Sequence, residues 1–272
     1  MSVTVRYAFV TVANDGASVA VYCAEPARAA EGNALAARLS LPLTDTGVTP
    51  ADFLLTLTAQ RLELRQQDPA APGPVYADFV SGPFGYRRVH GPGVRQLLAR
   101  AVGARAGFRP YVTDVTAGLG RDAFLLALLG CRVSLIERSP LVHALLADGL
   151  MRAGVACAAH ADSLKLLTLA CADAIVVLEN LADTERPDTV YLDPMYPHRD
   201  RSALNSKDMR ALRALVGDDE DAPALLAAAL KRARRRVAVK RPRLAPPLVG
   251  PRPTFHLKGA STRYDIYIAH AE

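Results

Sequence analysis

Hydrophobic and polar positions change rhythm along this chain. Over residues 3–12 and 18–23, apolar and β-branched residues alternate or run together, which predicts short strands. Residues 32–39 carry helical spacing. FLLTLTAQRLELRQ (53–66) predicts a strand or a strand pair, and VYADF (75–79) another strand. The turn-rich stretches PAAPGP (69–74) and SGPFG (81–85) punctuate this part.

From about residue 93 the rhythm becomes regular. GVRQLLARAVG (93–103) predicts a helix, YVTDVTAG (111–118) a strand, and RDAFLLALLG (121–130) a helix closed by glycine. CRVSLIE (131–137) is a second strand ending in an acid. SPLVHALLADGLMRAG (139–154) is a helix with Ser139 as N-cap and Pro140 at its first position. VACAAHADS (155–163) is expected to be the third strand with its turn, and TVYLD (189–193) the fourth. A helix over 222–233, a strand over 236–242 and an antiparallel pair over 254–259 and 264–270 complete the pattern. Strands alternating with helices imply an α/β fold: a mostly parallel, doubly wound sheet with an antiparallel closing strand. The expected organisation is a small N-terminal α/β subdomain over residues 1–88 and a cofactor-binding domain over 89–272.

Composition narrows the class. Half of the 272 residues are hydrophobic, enough for a sizeable core. A net charge of +6 and a pI near 9.3 lean toward a polyanionic partner such as nucleic acid. The four cysteines, Cys23, Cys131, Cys157 and Cys171, form no CxxC pair and have no histidine cluster beside them. They read as buried thiols in a reducing compartment, with no metal site expected. The N-terminus has no signal-peptide pattern, and no apolar run approaches the roughly 18 residues of a membrane span. The expectation is a cytoplasmic chain with no membrane contact.

Two stretches carry chemistry. In DVTAGLGRDAF (114–124), Gly118 and Gly120 permit a tight turn and close ligand approach between a strand and a helix. Glu137, at the end of the next strand, stands where an acid takes a ribose hydroxyl pair. Together they point to an adenosine-containing cofactor. Gly118-x-Gly120-x-x-Ala123 also fits a dinucleotide fingerprint. Asp122 in the first helical turn and Asp114 just upstream are poor company for a diphosphate, although Arg121 partly offsets them. They suit a sulfonium and an amino group, which favours S-adenosylmethionine.

The second stretch is YLDPMYPHR (191–199). Asp193 falls at the carboxyl end of a strand, where open α/β sheets bind ligands. The lone pair of a base's exocyclic amine is delocalised into the ring. It is localised when acceptors hold the N–H groups. Asp193 and a carbonyl near Pro194, stiffened by the proline ring, can do this, and Tyr196 offers a stacking surface. DPMYP thus resembles the Asp/Asn-Pro-Pro-aromatic motif of amino-methyltransferases, with Met195 in place of the second proline.

VTDVTAGLGRDAFLLALLGCRVSLIERSP, VYLDPMYPHRDRSAL and VAVKRPRLAPPL together resemble the bacterial 16S rRNA guanine-N2 methyltransferase J family, over most of residues 75–272 and more loosely before them. The resemblance implies a small N-terminal domain joined to a Rossmann-like class I methyltransferase domain. The implied activity is methyl transfer from S-adenosylmethionine to N2 of a guanine in small-subunit rRNA. Carried over residue by residue, it implies cofactor contacts at Arg121, Asp122, Glu137, Arg138, Asp162, Ser163 and Asp193; a small polar residue, often Ser, would be expected where Asp162 stands. The implied partner is 16S rRNA or the small ribosomal subunit, bound by a monomer.

Arg199 and Arg201 follow the DPMYP motif, where the phosphates flanking a base would pass. Arg87 and Arg88 precede the cofactor domain, and Lys240 and Arg241 end a strand on the same sheet edge. All six are expected to contact RNA. Arg6, Arg61 and Arg65 suggest that the N-terminal part helps. Competing readings are an amino-methyltransferase for DNA adenine N6 or protein glutamine, a nicotinamide oxidoreductase, and a non-catalytic assembly factor.

Overall fold

A computed structural model describes residues 4–7, 17–68, 71, 73–80, 96–156, 160–195 and 207–269. Its centre is an eight-stranded sheet in the order β1-β8-β7-β6-β9-β10-β12-β11. The strands are β1 (Thr4–Tyr7), β6 (Val112–Asp114), β7 (Val133–Glu137), β8 (Leu167–Cys171), β9 (Thr189–Leu192), β10 (Arg236–Pro242), β11 (Phe255–Lys258) and β12 (Thr262–Ile268). The six from β1 to β10 in that order pair parallel, whereas β12 runs antiparallel to β10 and β11 antiparallel to β12. The mostly parallel sheet with antiparallel closing strands is therefore as expected.

A second sheet, ordered β3-β2-β4-β5, is built from β2 (Val19–Cys23), β3 (Leu43–Thr44), β4 (Phe53–Leu57) and β5 (Leu62–Gln66). Helix α1 (Ala29–Leu39) buries Leu35, Ala36 and Leu39 in the core beside it. The 53–66 stretch is indeed a strand pair, a hairpin closed where the Thr58 amide donates to the Arg61 carbonyl. β1 lies in the large sheet although it precedes the small one in sequence. The expected boundary near residue 88 falls outside the described residues.

The period-2 alternation of the strands divides the core. Val112, Leu135, Leu169, Tyr191 and Ala238 face one side, which is continuous with the core of the small sheet. Val190, Leu192, Val237 and Val239 face the other. The first side is covered by α2 (Leu97–Val102), α3 (Arg121–Leu128), α4 (Pro140–Ala156) and α7 (Lys207–Val216), the second by α6 (Ala174–Glu179) and α8 (Ala222–Arg232). Helix α4 approaches the 75–79 segment so closely that a Cβ on Gly149 would lie 2.5 Å from Ala77 Cβ. Arg152 donates there to the Ala77 carbonyl and, at 2.7 Å, to Asp148.

Three expectations need correction. Residues 75–79 form no strand, only a bridge from Val75 to Leu64. The 111–118 stretch is extended only through Asp114 before the chain bends. Residues 161–164 form a short helix, α5 (Ala161–Leu164), and the third parallel strand is β8, later in the chain. In LTLAC (167–171) Leu167, Leu169 and Cys171 are buried and Thr168 is exposed, a short strand alternation; pairing with β7 and β1 sets it in the sheet.

Candidate active site

The chain runs from β6 to β7 and β8 on one side, then returns to place β9 and β10 on the other side of β6. This reversal leaves a crevice at the carboxyl ends of β6 and β9, the usual ligand position in an open α/β sheet. A cavity of about 310 Å³ lies there. Its walls are the 114–122 turn, Ile136–Ser139, Asp173–Ile175, Tyr191, Asp193, Met195, Lys240 and parts of residues 212–225.

The turn after β6 forms the floor. Gly118 (φ 53°) and Gly120 (φ 71°) both adopt left-handed backbone, which glycine enters without a Cβ penalty. Gly120 has a second requirement: a Cβ would lie 2.5 Å from Leu146 Cδ1 and 3.3 Å from Phe79 Cζ. Glu137 fastens the turn, its carboxylate accepting from the Gly118 and Ser139 amides, each at 2.8 Å. Burial raises the Glu137 pKa, and these two amides oppose the rise.

Seven acids and three bases line the cavity. Asp114 is 2% exposed, and burial pushes its pKa up to about 8. Tyr191, Asp193, Asp114 and Lys240 project from the same face of the sheet, because Leu192 pairs with Val239 and Tyr191 with Asp114. Asp122 reaches them from α3. Its Oδ2 accepts from the Tyr191 hydroxyl at 2.6 Å and from Lys240 Nζ at 2.8 Å. Lys240 Nζ also donates to Asp193 Oδ2 at 2.9 Å. Burial alone would lower the Lys240 pKa, but Asp193 and Asp122 raise it further than burial lowers it. Burial raises the Asp193 pKa while Lys240 pulls it back.

The segment after β9 is held from both sides. The Asp193 amide donates to Thr116 Oγ1 at 2.6 Å, and the Met195 amide donates to Asp219 Oδ2 at 2.6 Å. Arg138 clamps the loop that supplies Asp219, pairing with both Asp219 and Asp221. Its guanidinium therefore braces the loop that anchors the Met195 amide. Pro194 is buried between the two anchors.

The structure thus brings Asp114, Gly118, Gly120, Arg121, Asp122, Glu137, Arg138 and Asp193 to one cavity. It does not bring Asp162 and Ser163. With the third strand at 167–171, that pair lies before the strand on α5, where the Asp162 side chain is 94% exposed and bound to Lys165 at 2.7 Å. The acid that follows the third strand into the cavity is Asp173, which also caps α6 by accepting from the Ile175 and Val176 amides. Asp173, Thr116, Tyr191 and Asp219 escaped the sequence reading. Only the Asp173-to-Val176 capping pattern carried a local signal for any of them.

Two expected RNA contacts are also corrected. Lys240 faces the acids of the cavity instead of an outer edge. Arg241 is 3% exposed and donates to the Pro246 carbonyl at 2.9 and 3.2 Å, so phosphate does not reach it. Arg61 and Arg65 both pair with the buried carboxylate of Glu63. Tyr196, Arg87, Arg88, Arg199, Arg201 and the Arg6 side chain lie outside the described residues. Among the described residues no group of three or more His, Cys, Asp or Glu side chains is arranged to hold a metal, and no helix is long and apolar enough to cross a membrane.

A sequence family described as "Putative SAM-dependent methyltransferase" matches residues 34–269. Over 244 residues the chain is 51% identical to the ribosomal RNA small subunit methyltransferase J of Pseudomonas fluorescens, covering 89% of this chain and 91% of that protein. The chain belongs to the small-subunit rRNA methyltransferase J family. The family member of Coxiella burnetii is 47% identical over 92% of this chain and 97% of its own length. Among solved structures, an S-adenosylmethionine-dependent methyltransferase from Neisseria gonorrhoeae superposes with a TM-score of 0.70 at 34% identity, covering 93% of this chain and 96% of that one. The chain is accordingly an S-adenosylmethionine-dependent enzyme with a class I fold. Its cavity suits that cofactor: the acid excess favours a cation, and the glycine turn leaves its backbone open to close approach.

Proposed function

We propose that this protein methylates the exocyclic N2 of a guanine in small-subunit rRNA. The single observation that carries this reading is Asp193, held by its own amide to Thr116 and presented at the mouth of an acid-rich cofactor cavity. The names of its relatives supply the substrate class, small-subunit rRNA. The guanine N2 position rests on the family resemblance and on the amine-holding chemistry of Asp-Pro.

Bound S-adenosylmethionine would supply an electrophilic methyl group. Asp114, Asp122, Glu137 and Asp173 would hold the cofactor, with the cradle of Gly118 and Gly120 beneath it. Asp193 would accept from the amine N–H, localising the nitrogen lone pair, and would take the departing proton as the new N–C bond completes. Pro194 would keep the backbone carbonyl beside Asp193 from swinging away. Tyr196 would stack on a base that is unpaired or turned out of its helix. Arg87, Arg88, Arg199 and Arg201 would grip flanking phosphates, making affinity salt-dependent.

The test is transfer of labelled methyl groups to small-subunit particles lacking the modification, followed by digestion and identification of the nucleoside. N2-methylguanosine from the wild type and none from Asp193→Ala is the expected result. Label in a different nucleoside would overturn the guanine N2 assignment.

A further inference from the structure

The ammonium of Lys240 sits between two carboxylates in the cavity, a place that cofactor chemistry alone does not require. Its three donors are compact and rotatable; two of them are used, at 2.8 Å to Asp122 and 2.9 Å to Asp193. Asp122 is itself anchored at 2.6 Å by the buried Tyr191 hydroxyl. The strand register dictates the arrangement: Leu192 pairs with Val239, so the next residues, Asp193 and Lys240, stand side by side on one face. Only one oxygen of Asp193 is engaged; among the described residues Oδ1 accepts no hydrogen bond.

We propose that Lys240 is a positioning residue for methyl transfer: it keeps the Asp193 carboxylate ionised and oriented, with one oxygen tied to the ammonium and the other left for the base amine. The inference rests on the reading of Asp193 as the amine acceptor.

The carboxylates around Asp193 work against its ionised form. Asp122 approaches from α3 and Asp219 from the loop before α8, and both raise its pKa along with burial. Asp114, on β6, is a further acid on the same face. Tyr191 and Tyr264 are held protonated, burial being the main cause for each. Arg138 is committed to Asp219 and Asp221. Among the described residues, Lys240 is the cation in direct contact with Asp193. An Asp193 that took up a proton would lose the acceptor that localises the amine lone pair, and it would no longer receive the amine proton. Lys240 therefore acts through Asp193 without touching the reacting atoms. The Tyr191–Asp122 hydrogen bond gives Lys240 a fixed second anchor.

The experiment is single-turnover methyl transfer to small-subunit particles at saturating S-adenosylmethionine, measured across pH for the wild type, Lys240→Met, Lys240→Gln, Lys240→Arg and Asp193→Ala. Cofactor affinity and thermal midpoint are measured for each. Loss of the positive charge is expected to move the acid limb of the rate profile upward by about one unit or more, the usual effect of removing a contacting opposite charge. Lys240→Met and Lys240→Gln should then lose about tenfold or more in rate near neutral pH and recover at alkaline pH, while Lys240→Arg keeps the wild-type limb. Lys240→Gln retains hydrogen bonding without charge and carries the test if Lys240→Met does not fold. An unmoved acid limb in a neutral variant that still binds cofactor would overturn the proposal. Wild-type rates in Asp193→Ala, which has no side-chain acceptor, would instead overturn the amine-acceptor reading, so the two failures are distinct.

Discussion

Asp114 couples cofactor binding to protons. Burial pushes its pKa up to about 8, with Asp122 and Asp193 adding to the rise and the Thr116 amide and Lys240 opposing it. At neutral pH the cofactor-free protein therefore holds Asp114 protonated. A cationic amine placed in the cavity favours the ionised form, so binding releases the proton. The affinity for S-adenosylmethionine should fall by up to tenfold, about 1.4 kcal/mol, for each pH unit below 8. Asp114→Asn has no proton to release and should bind with a flat profile over that range. The cofactor's own α-amino group titrates at about 8; it weakens binding above that pH in both proteins, and the difference between them isolates Asp114. Calorimetric titrations in two buffers of different ionisation enthalpy should count up to about one proton released near neutral pH by the wild type and none by the variant. A wild-type affinity that does not change with pH below 8, or a slope that survives in Asp114→Asn, refutes the linkage. Stability carries the same signature with its own sign. The folded pKa lies above the unfolded one, so the contribution of Asp114 is complete below about pH 4 and is lost as pH rises through about 8. Asp114→Asn should gain thermal stability relative to the wild type on the alkaline side.

Gly120→Ala should destabilise the fold by about 2–4 kcal/mol, combining the left-handed backbone with overpacking against the buried Leu146 side chain; a thermal midpoint within about 1 °C of wild type would refute the steric reading. Asp162→Ala should leave cofactor affinity unchanged in equilibrium binding, because the side chain is solvent-exposed on α5. Asp173→Ala should weaken that affinity and also lose about 1 kcal/mol from the cap of α6; equal losses in the two variants would contradict the placement of the third strand.

The sequence by itself was enough for the architecture and for most of the residues that line the cavity after β6 and β7. Strands separated by helices in regular alternation have few ways to pack other than a parallel sheet. Gly118, Gly120, Asp122 and Glu137 occupy positions whose meaning is local: a turn that needs left-handed backbone, a first helical turn, a strand end. Their roles travel with their neighbours in the chain. The third strand was not legible in this way. Its alternation spans only five residues, with Leu, Ala and Cys that suit a helix as well as a strand, so Leu167–Cys171 is fixed as a strand by pairing with β7 and β1, and Asp173 rather than Asp162 entered the cavity as a consequence. Lys240 and Arg241 show the same limit at single-residue scale. Adjacent in sequence and both cationic, they diverge because successive strand residues face opposite sides of a sheet. One meets Asp122 and Asp193, 118 and 47 residues away in the chain, and the other is buried against Pro246. Which side each one faces, and what waits there, depends on the register of β10 against β9 and on the helix above them, and these are properties of the packed sheet.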